Sequence, residues 1–491
     1  MPQNLIEADD SGIGLRTGFS WKTTLSVSLL LLLPCFWQSR IQSIDLSSHI
    51  YNAWLASLIA QNQAPGLWIV HQSNNVLFDL VLAWLFLHFG AAAAQRIAVG
   101  AAVLIFSWGA TLLISRGRPG TRSGNWWFLL PSVSVLSYGF IFHAGFFNFY
   151  LGLGICFWYL TFFLSGGWRV RFLITPLLLL AWVAHPLPVV WAIGLAVYIA
   201  LAEFLPAQGR VILLAAGLAA LLEAHFLLVT RYQCLWSWDQ TWYVTGAKQV
   251  ILFGSAYQIP YWLFLAAWGM LFWRRVTAVG WRDVLLDMRF QLWLLTAAAV
   301  VMIPADIAFP QFESPFDFVS LRLSLAAGIL LGAFLFEVQP KRYEIVVLTL
   351  SALMFFVLLF RDARKLNRME DQVVAALAQV PANSRVIGLL RAPSIEFSPG
   401  EHQLDRACIG RCFSYANYEP STGQFRVRAA PGNPIVMADY ADVYAVELGR
   451  YRVQAGDLPV FLIHLCGPDS QQVCSRELHE GERIGSFAHA H

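Results

Sequence analysis

An acid and an imidazole stand one helical turn apart in the stretch SIDLSSHIYNAWLASLIAQNQAPG, at Asp45 and His49. At 3.6 residues per turn, Asp45, His49, Asn52 and Ala56 share one narrow face, while Tyr51, Trp54 and Leu58 fall on the other side. This predicts an amphipathic helix lying along a membrane surface. Asp45 reads in two ways: as a helix cap that accepts backbone N–H groups, or as a reactive carboxylate presented to a cavity. Other polar side chains of unusual type follow along the chain. His71 lies with Asn74 and Asn75. His143 and Asn148 flank the aromatic run AGFFNFYLG, and His185 precedes Pro186. Asp239 sits among Trp236, Trp238, Trp242 and Tyr243. Asp306, Glu313 and Asp317 precede Arg322.

The elements that must position these residues are set by composition. The 491 residues are 57% hydrophobic and 13% charged, against about 25% charged in a soluble domain. Continuous apolar runs from Leu25 to Phe360 predict an all-α polytopic membrane protein, because a backbone in lipid must satisfy its own hydrogen bonds. The runs do not alternate, which excludes a β-barrel. The net charge of +3 is small, and no basic run with interleaved aromatics suggests nucleic acid.

The apolar spans are 22–38, 97–115, 126–141, 145–164, 172–184, 187–204, 211–230, 251–273, 290–305, 319–338 and 343–360, about eleven helices of near-bilayer length. The stretch 76–89 carries Asp79 and His88 and reads as a further juxtamembrane helix within a first outer loop, 39–96. With residues 1–21 cytoplasmic, Arg116, Arg118, Arg122, Arg169, Arg171, Arg210, Arg274, Arg275, Arg282, Arg289, Lys341 and Arg342 all fall inside, as the positive-inside rule requires. Arg361, Arg364, Lys365 and Arg368 oppose the rule, because this topology places them outside. The unusual polar residues then gather at the outer face, where ionisable groups near lipid mark function.

Residues 366–491 read as a small α/β extracytoplasmic domain. DQVVAALAQV has helical spacing, and PANSRVIGLL reads as a turn followed by a strand. This segment holds Cys408, Cys412, Cys466 and Cys474. An oxidising compartment permits local bridges Cys408–Cys412 and Cys466–Cys474, although the sequence leaves three connectivities open.

This order of parts resembles the GT-C superfamily of membrane glycosyltransferases. One N-terminal helix is followed by an acid opening the first outer loop and by the helix DLSSHIYNAWLASLIAQNQ. Next comes a polar turn, His71 to Asn75, then an apolar helix ending in Phe89-Gly90, an Ala-rich link with Arg96, and a long helix ending at Arg116. The stretches HAGFFNFYLGLGI and AHPLPVVWAI add to the likeness, which covers residues 20–360 and is best over 21–122. The resemblance implies sugar transfer from a polyprenyl-phosphate or pyrophosphate donor to a glycan, lipid or protein acceptor outside a bacterial inner membrane. It implies Asp45 as general base with His49 as its partner, and Arg322 or Arg96 on the donor phosphate. His71, His143, Asn148, His185 and Asp239 complete the implied substrate contacts. Asp45, Asp306, Glu313 and Asp317 are the candidate ligands for a divalent cation.

The chain departs from the pattern in having one acid where many members have two, HQSNN in place of a Pro-Pro turn, and no lysine in the first outer loop. Two other classes compete with this reading: a transporter or lipid flippase, and a non-catalytic protein of the same fold acting through its outer domain.

Overall fold

The protein is described here by a computed structural model covering residues 20–115, 126–390, 402–467 and 472–484. The expected inner basic residues Arg116, Arg118 and Arg122 lie outside these residues.

The helices run in chain order as α1 (Trp21–Phe36), α2 (Ile44–Ala60), α3 (Leu77–Ser115), α4 (Leu130–Ser137), α5 (Phe140–Ala144) and α6 (Phe147–Ser165). They continue as α7 (Trp168–Leu173), α8 (Thr175–Ala184), α9 (Pro186–Glu203), α10 (Ala207–Arg231), α11 (Gln258–Val279) and α12 (Trp281–Leu286). Then follow α13 (Met288–Met302), α14 (Val319–Leu335), α15 (Arg342–Leu377), α16 (Gln403–Cys408) and α17 (Tyr440–Glu447).

Six helical segments among the described residues are long and apolar enough to cross a bilayer, and three shorter apolar helices accompany them. Of α10, only Leu214 is buried by protein, so its apolar surface faces lipid; water would make such exposure costly. The chain is an integral membrane protein. Helix α6 occupies the centre, with Phe147, Phe149, Tyr150 and Phe157 fully buried.

Helix boundaries follow local chemistry. Ser20 caps α1 by accepting from Thr23 N. Pro186 opens α9, where its missing N–H costs nothing. In α3 the expected interfacial helix 76–89 and span 97–115 run on as one element with a break at Gly90, whose φ is 74°. The span expected at 251–273 is instead Gln258–Val279, preceded by 3-10 turns and ended by Gly280 at φ 81°. Arg274 and Arg275 therefore lie inside the helix.

The C-terminal part is an α/β unit. Its strands are β4 (Arg385–Leu389), β5 (Phe413–Ser414), β7 (Val460–Leu465) and β8 (Val473–Glu477), in sheet order β5-β4-β7-β8. Strand β4 is parallel to β5 and β7, and β7 is antiparallel to β8. Successive side chains point to opposite faces. Val386 and Ile463 thus join the cluster containing Tyr51 and Leu55 of α2. Ile387 and Leu462 join a second cluster under α17. Both local disulfides, Cys408–Cys412 and Cys466–Cys474, are present.

Two short ribbons tie distant loops together. Strand β1 (Leu67–Ile69) pairs with β6 (Val427–Ala429), and β2 (Gln233–Leu235) with β3 (Asp306–Ala308). The first joins the loop after α2 to the C-terminal unit. The second braces the loop before α14.

Candidate functional site

Helix α2 does not lie open on a membrane surface. Both of its sides are buried by protein. Tyr51 Oη accepts from Ser414 N at 2.9 Å, and Trp54 stacks on Phe413 at 5.8 Å. The apolar face thus meets the C-terminal unit in place of lipid. On the other face, Asn417 donates to Asn52 Oδ1 at 2.9 Å and Ser48 to Glu419 Oε1 at 3.3 Å. Ser43 is the N-cap residue of α2, and its hydroxyl donates to Phe142 O at 2.8 Å. Asp45 is in the first turn and opens into a cleft.

That cleft, of about 280 Å³, is bounded by α2, the start of α6, the start of α9, the loop before α14 and the C-terminal unit. It gathers Asp45, His49, Asn148, His185, Asp317 and Arg322. Its walls are aromatic, including Phe146, Phe149, Phe316, Phe425 and Tyr440. The C-terminal unit adds His402 and Tyr418. His402 Nε2 is 3.8 Å from Asp45 Oδ1, and its Nδ1 is 3.5 Å from Asp405 Oδ2. Asp405 in turn accepts from Ser414 Oγ at 2.5 Å.

Behind the cleft, His49 Nδ1 lies 2.6 Å from Asp79 Oδ1 and 3.8 Å from Glu419 Oε1. Asn148 Nδ2 donates to the other Asp79 oxygen at 2.7 Å, while its Oδ1 accepts from Phe78 N at 2.8 Å. Burial acts to lower the His49 pKa, but Asp79 and then Glu419 outweigh it and raise it to about 10. The close Asp79 carboxylate thus favours the charged ring, with Nδ1–H directed at Asp79. Burial raises the Glu419 pKa to about 7, with His49 opposing and Asp79 adding to the rise.

Arg322 lies over the rings of Phe146 and Phe316, at 4.0 and 5.1 Å. One guanidinium nitrogen is 3.3 Å from His185 Nε2. His185 caps α9, its Nδ1 accepting from Leu187 N at 3.1 Å. Burial, and then Arg322, hold the His185 pKa well below its usual range, so the ring is neutral. A neutral ring whose Nδ1 accepts carries its proton on Nε2. Two donors thus face each other, and Arg322 Nε is buried with no acceptor among the described residues. An anion placed between them would accept from both.

Asp317 also faces the cleft. Burial first, and the neighbouring Asp306 next, raise its pKa to about 6, with Arg322 opposing. Asp306 braces the backbone of the loop. Its Oδ1 accepts from Phe318 N at 2.9 Å, and Phe318 is held at φ 58°. This left-handed conformation is a strained one for an aromatic residue.

The remaining expected residues lie elsewhere. His143 is buried behind the cleft, with Nδ1 bonded to Gln42 O at 2.9 Å. Arg96 donates to Gln38 O and Ser39 O at the end of α1, at 3.3 and 2.9 Å. His71 and Asp239 are exposed and outside the cleft lining, as is Glu313. Among the described residues, no three His, Cys, Asp or Glu side chains gather closely enough to hold a metal ion. Sequence reasoning missed Asp79, His402, Tyr418 and Glu419. The signal for Asp79 was present, as a carboxylate in an apolar helix needs a partner. His402 and Glu419 come from the tail, more than 350 positions from Asp45, and no local pattern announces them.

No known family model matches the sequence, and no curated protein is similar to it. Among solved structures, the chain is similar to the crystal structure of ArnT from Cupriavidus metallidurans in the apo state. The identity is 12% and the TM-score 0.46, over 92% of this chain and 96% of that one.

Proposed function

We propose that the protein is a membrane glycosyltransferase of the GT-C type, moving a sugar from a polyprenyl-phosphate donor to a hydroxyl acceptor at the outer membrane face. The observation that carries this reading is the cleft itself. It sets the Asp45 carboxylate near the converging donors of Arg322 and His185, inside aromatic walls that suit a sugar ring.

In this reading, Asp45 takes the proton of the acceptor hydroxyl as its oxygen attacks the anomeric carbon. The bond between that carbon and the phosphate oxygen breaks, and the electron pair leaves with the lipid phosphate. Arg322 and His185 Nε2–H hold the phosphate and offset its growing charge. His402 faces Asp45 and receives support from Asp405. His49 acts as a fixed cation that anchors α2 to Asp79. No step is routed through a metal. The transporter reading is weaker because the polar groups gather at one end of the helices, away from a midplane site.

The test is transfer from a panel of polyprenyl-phosphate sugars by purified protein, with Asp45→Asn and Asp317→Asn beside it. Turnover that falls at least ~100-fold in Asp45→Asn, with thermal stability kept, supports the assignment. Full turnover in Asp45→Asn with loss in Asp317→Asn would move the base to the loop before α14. Absence of turnover with every donor would remove the transferase reading.

A further inference from the structure

Helix α15 changes character along one face. Val346, Leu350, Leu353 and Val357 are all exposed on it, Val357 at 68%. One turn on, the same face becomes basic, with Arg361, Arg364, Lys365 and Arg368 exposed at helical spacing. Residues 342–360 span roughly 28 Å of helix, close to a hydrocarbon core of about 30 Å. The basic segment covers roughly 10 Å more, which matches the depth of a headgroup layer.

Arg274, Arg275, Arg289 and Lys341 stand at the opposite end, while Arg40, Arg96 and Arg322 share the cleft end. Arg274 pairs with Glu344 at the start of α15, roughly 26 Å of helix away from Arg361. The cations at 361–368 thus sit at the cleft end, against the charge bias of the rest of the chain. Of the nearby carboxylates, only Asp362 pairs with this group, one acid against four cations. Asp362 accepts from Arg361 at 3.1 Å and lies 3.7 Å from Lys365. Glu370 is taken by Arg406 and Arg40, and Asp371 by Arg40. Arg364 and Arg368 form no ion pair among the described residues. Beside the stripe is a recess of about 280 Å³ lined by Phe253, Tyr257, Arg361, Asp362 and Lys365. It is separate from the cleft that holds Asp45.

We propose that this basic end of α15 and its recess bind the phosphate-bearing headgroup of an anionic membrane lipid. The chains of that lipid lie along the apolar face of α15, while its phosphate meets the arginines and lysine and the recess receives the rest of the headgroup. The site stands apart from the sugar-transfer reading and does not depend on it.

The test uses full-length protein in neutral detergent, with lipid binding counted by native mass spectrometry. Phosphatidylglycerol and phosphatidylcholine are the probes. Arg364→Gln with Arg368→Gln is the chosen variant, because both side chains are exposed and form no ion pair among the described residues, so the fold should be kept; a thermal midpoint equal to the parent's verifies this. Native protein should prefer phosphatidylglycerol. The double variant should lose on the order of tenfold or more in that preference, at roughly fivefold per surface charge. Equal preference in the variant, or none in the native protein, overturns the proposal. Displacement of the lipid by millimolar inorganic phosphate would also overturn it, showing a site for phosphate alone.

Discussion

At the residue scale, His49 sets burial against pairing. Burial alone would leave its ring neutral, but Asp79 at 2.6 Å holds it charged, with a pKa of about 10. In the unfolded chain the value is near 6.5. A folded value above the unfolded one gives stability that is fully present below about pH 6.5 and is lost as pH rises through about 10. His49→Gln should therefore cost about 3 kcal/mol at pH 6, since it leaves a buried carboxylate without its cation. The gap between native and variant should narrow as pH is raised toward 10. Thermal midpoints across that range are the measurement, and a constant gap would remove the ion pair as its source. Glu419 shows burial prevailing instead: its pKa is pushed up from the ordinary carboxylate range to about 7, against the opposing charge of His49.

At the scale of elements, the turn between α5 and α6 decides where Asp45 stands. Gly145 is at φ 88°, and a Cβ there would lie 2.6 Å from Asp45 N and 2.7 Å from Asp45 Cβ. Only glycine tolerates both the conformation and the approach. Gly145→Ala should displace the first turn of α2 and abolish transfer, with a stability loss of roughly 1–3 kcal/mol. Gly432→Ala is the control. It shares a positive φ of 67°, but its Cβ would meet nothing within 4 Å, so it should lose stability and keep activity. Equal activity in the two variants would show that the close approach to Asp45 does not position it. The sequence HAGFFNFYLG marked this segment, while the contact with Asp45 became visible only in three dimensions.

At the scale of the molecule, the C-terminal unit completes the cleft, and one buried network fixes it there. Glu370, fully buried, accepts from Arg406 Nε at 2.8 Å, Arg406 Nη2 at 2.5 Å and Gln42 Nε2 at 2.8 Å, with Arg40 Nε at 3.3 Å. Arg406 also donates to Ile41 O and Gln95 Oε1. Helices α15, α16 and α3 and the loop after α1 therefore meet at the Glu370–Arg406 pair, α3 through Gln95 on Arg406. Glu370→Ala leaves Arg406 buried without its partner and should lower stability by roughly 3–5 kcal/mol, read as a drop in unfolding midpoint. Transfer should fall with it, because α16 follows directly on His402, which faces Asp45. An unchanged midpoint would show that the network is not what holds the unit.

The sequence by itself determined the membrane character and the predominance of helix, and it offered the local cysteine pairs as one of three connectivities. These follow from local quantities: hydropathy over a span, periodicity, and cysteines close in the chain. It also marked Asp45, His49, Asn148, His185, Asp317 and Arg322 as side chains too polar for their places, and these do share one cleft. Tertiary structure alone decided the rest. It buried α2 on both sides, drew His143 and Arg96 away from the cleft, and brought His402 and Glu419 into reach. Such outcomes depend on contacts between residues hundreds of positions apart, and no local pattern of charge or hydropathy encodes which distant side chain will satisfy a buried one.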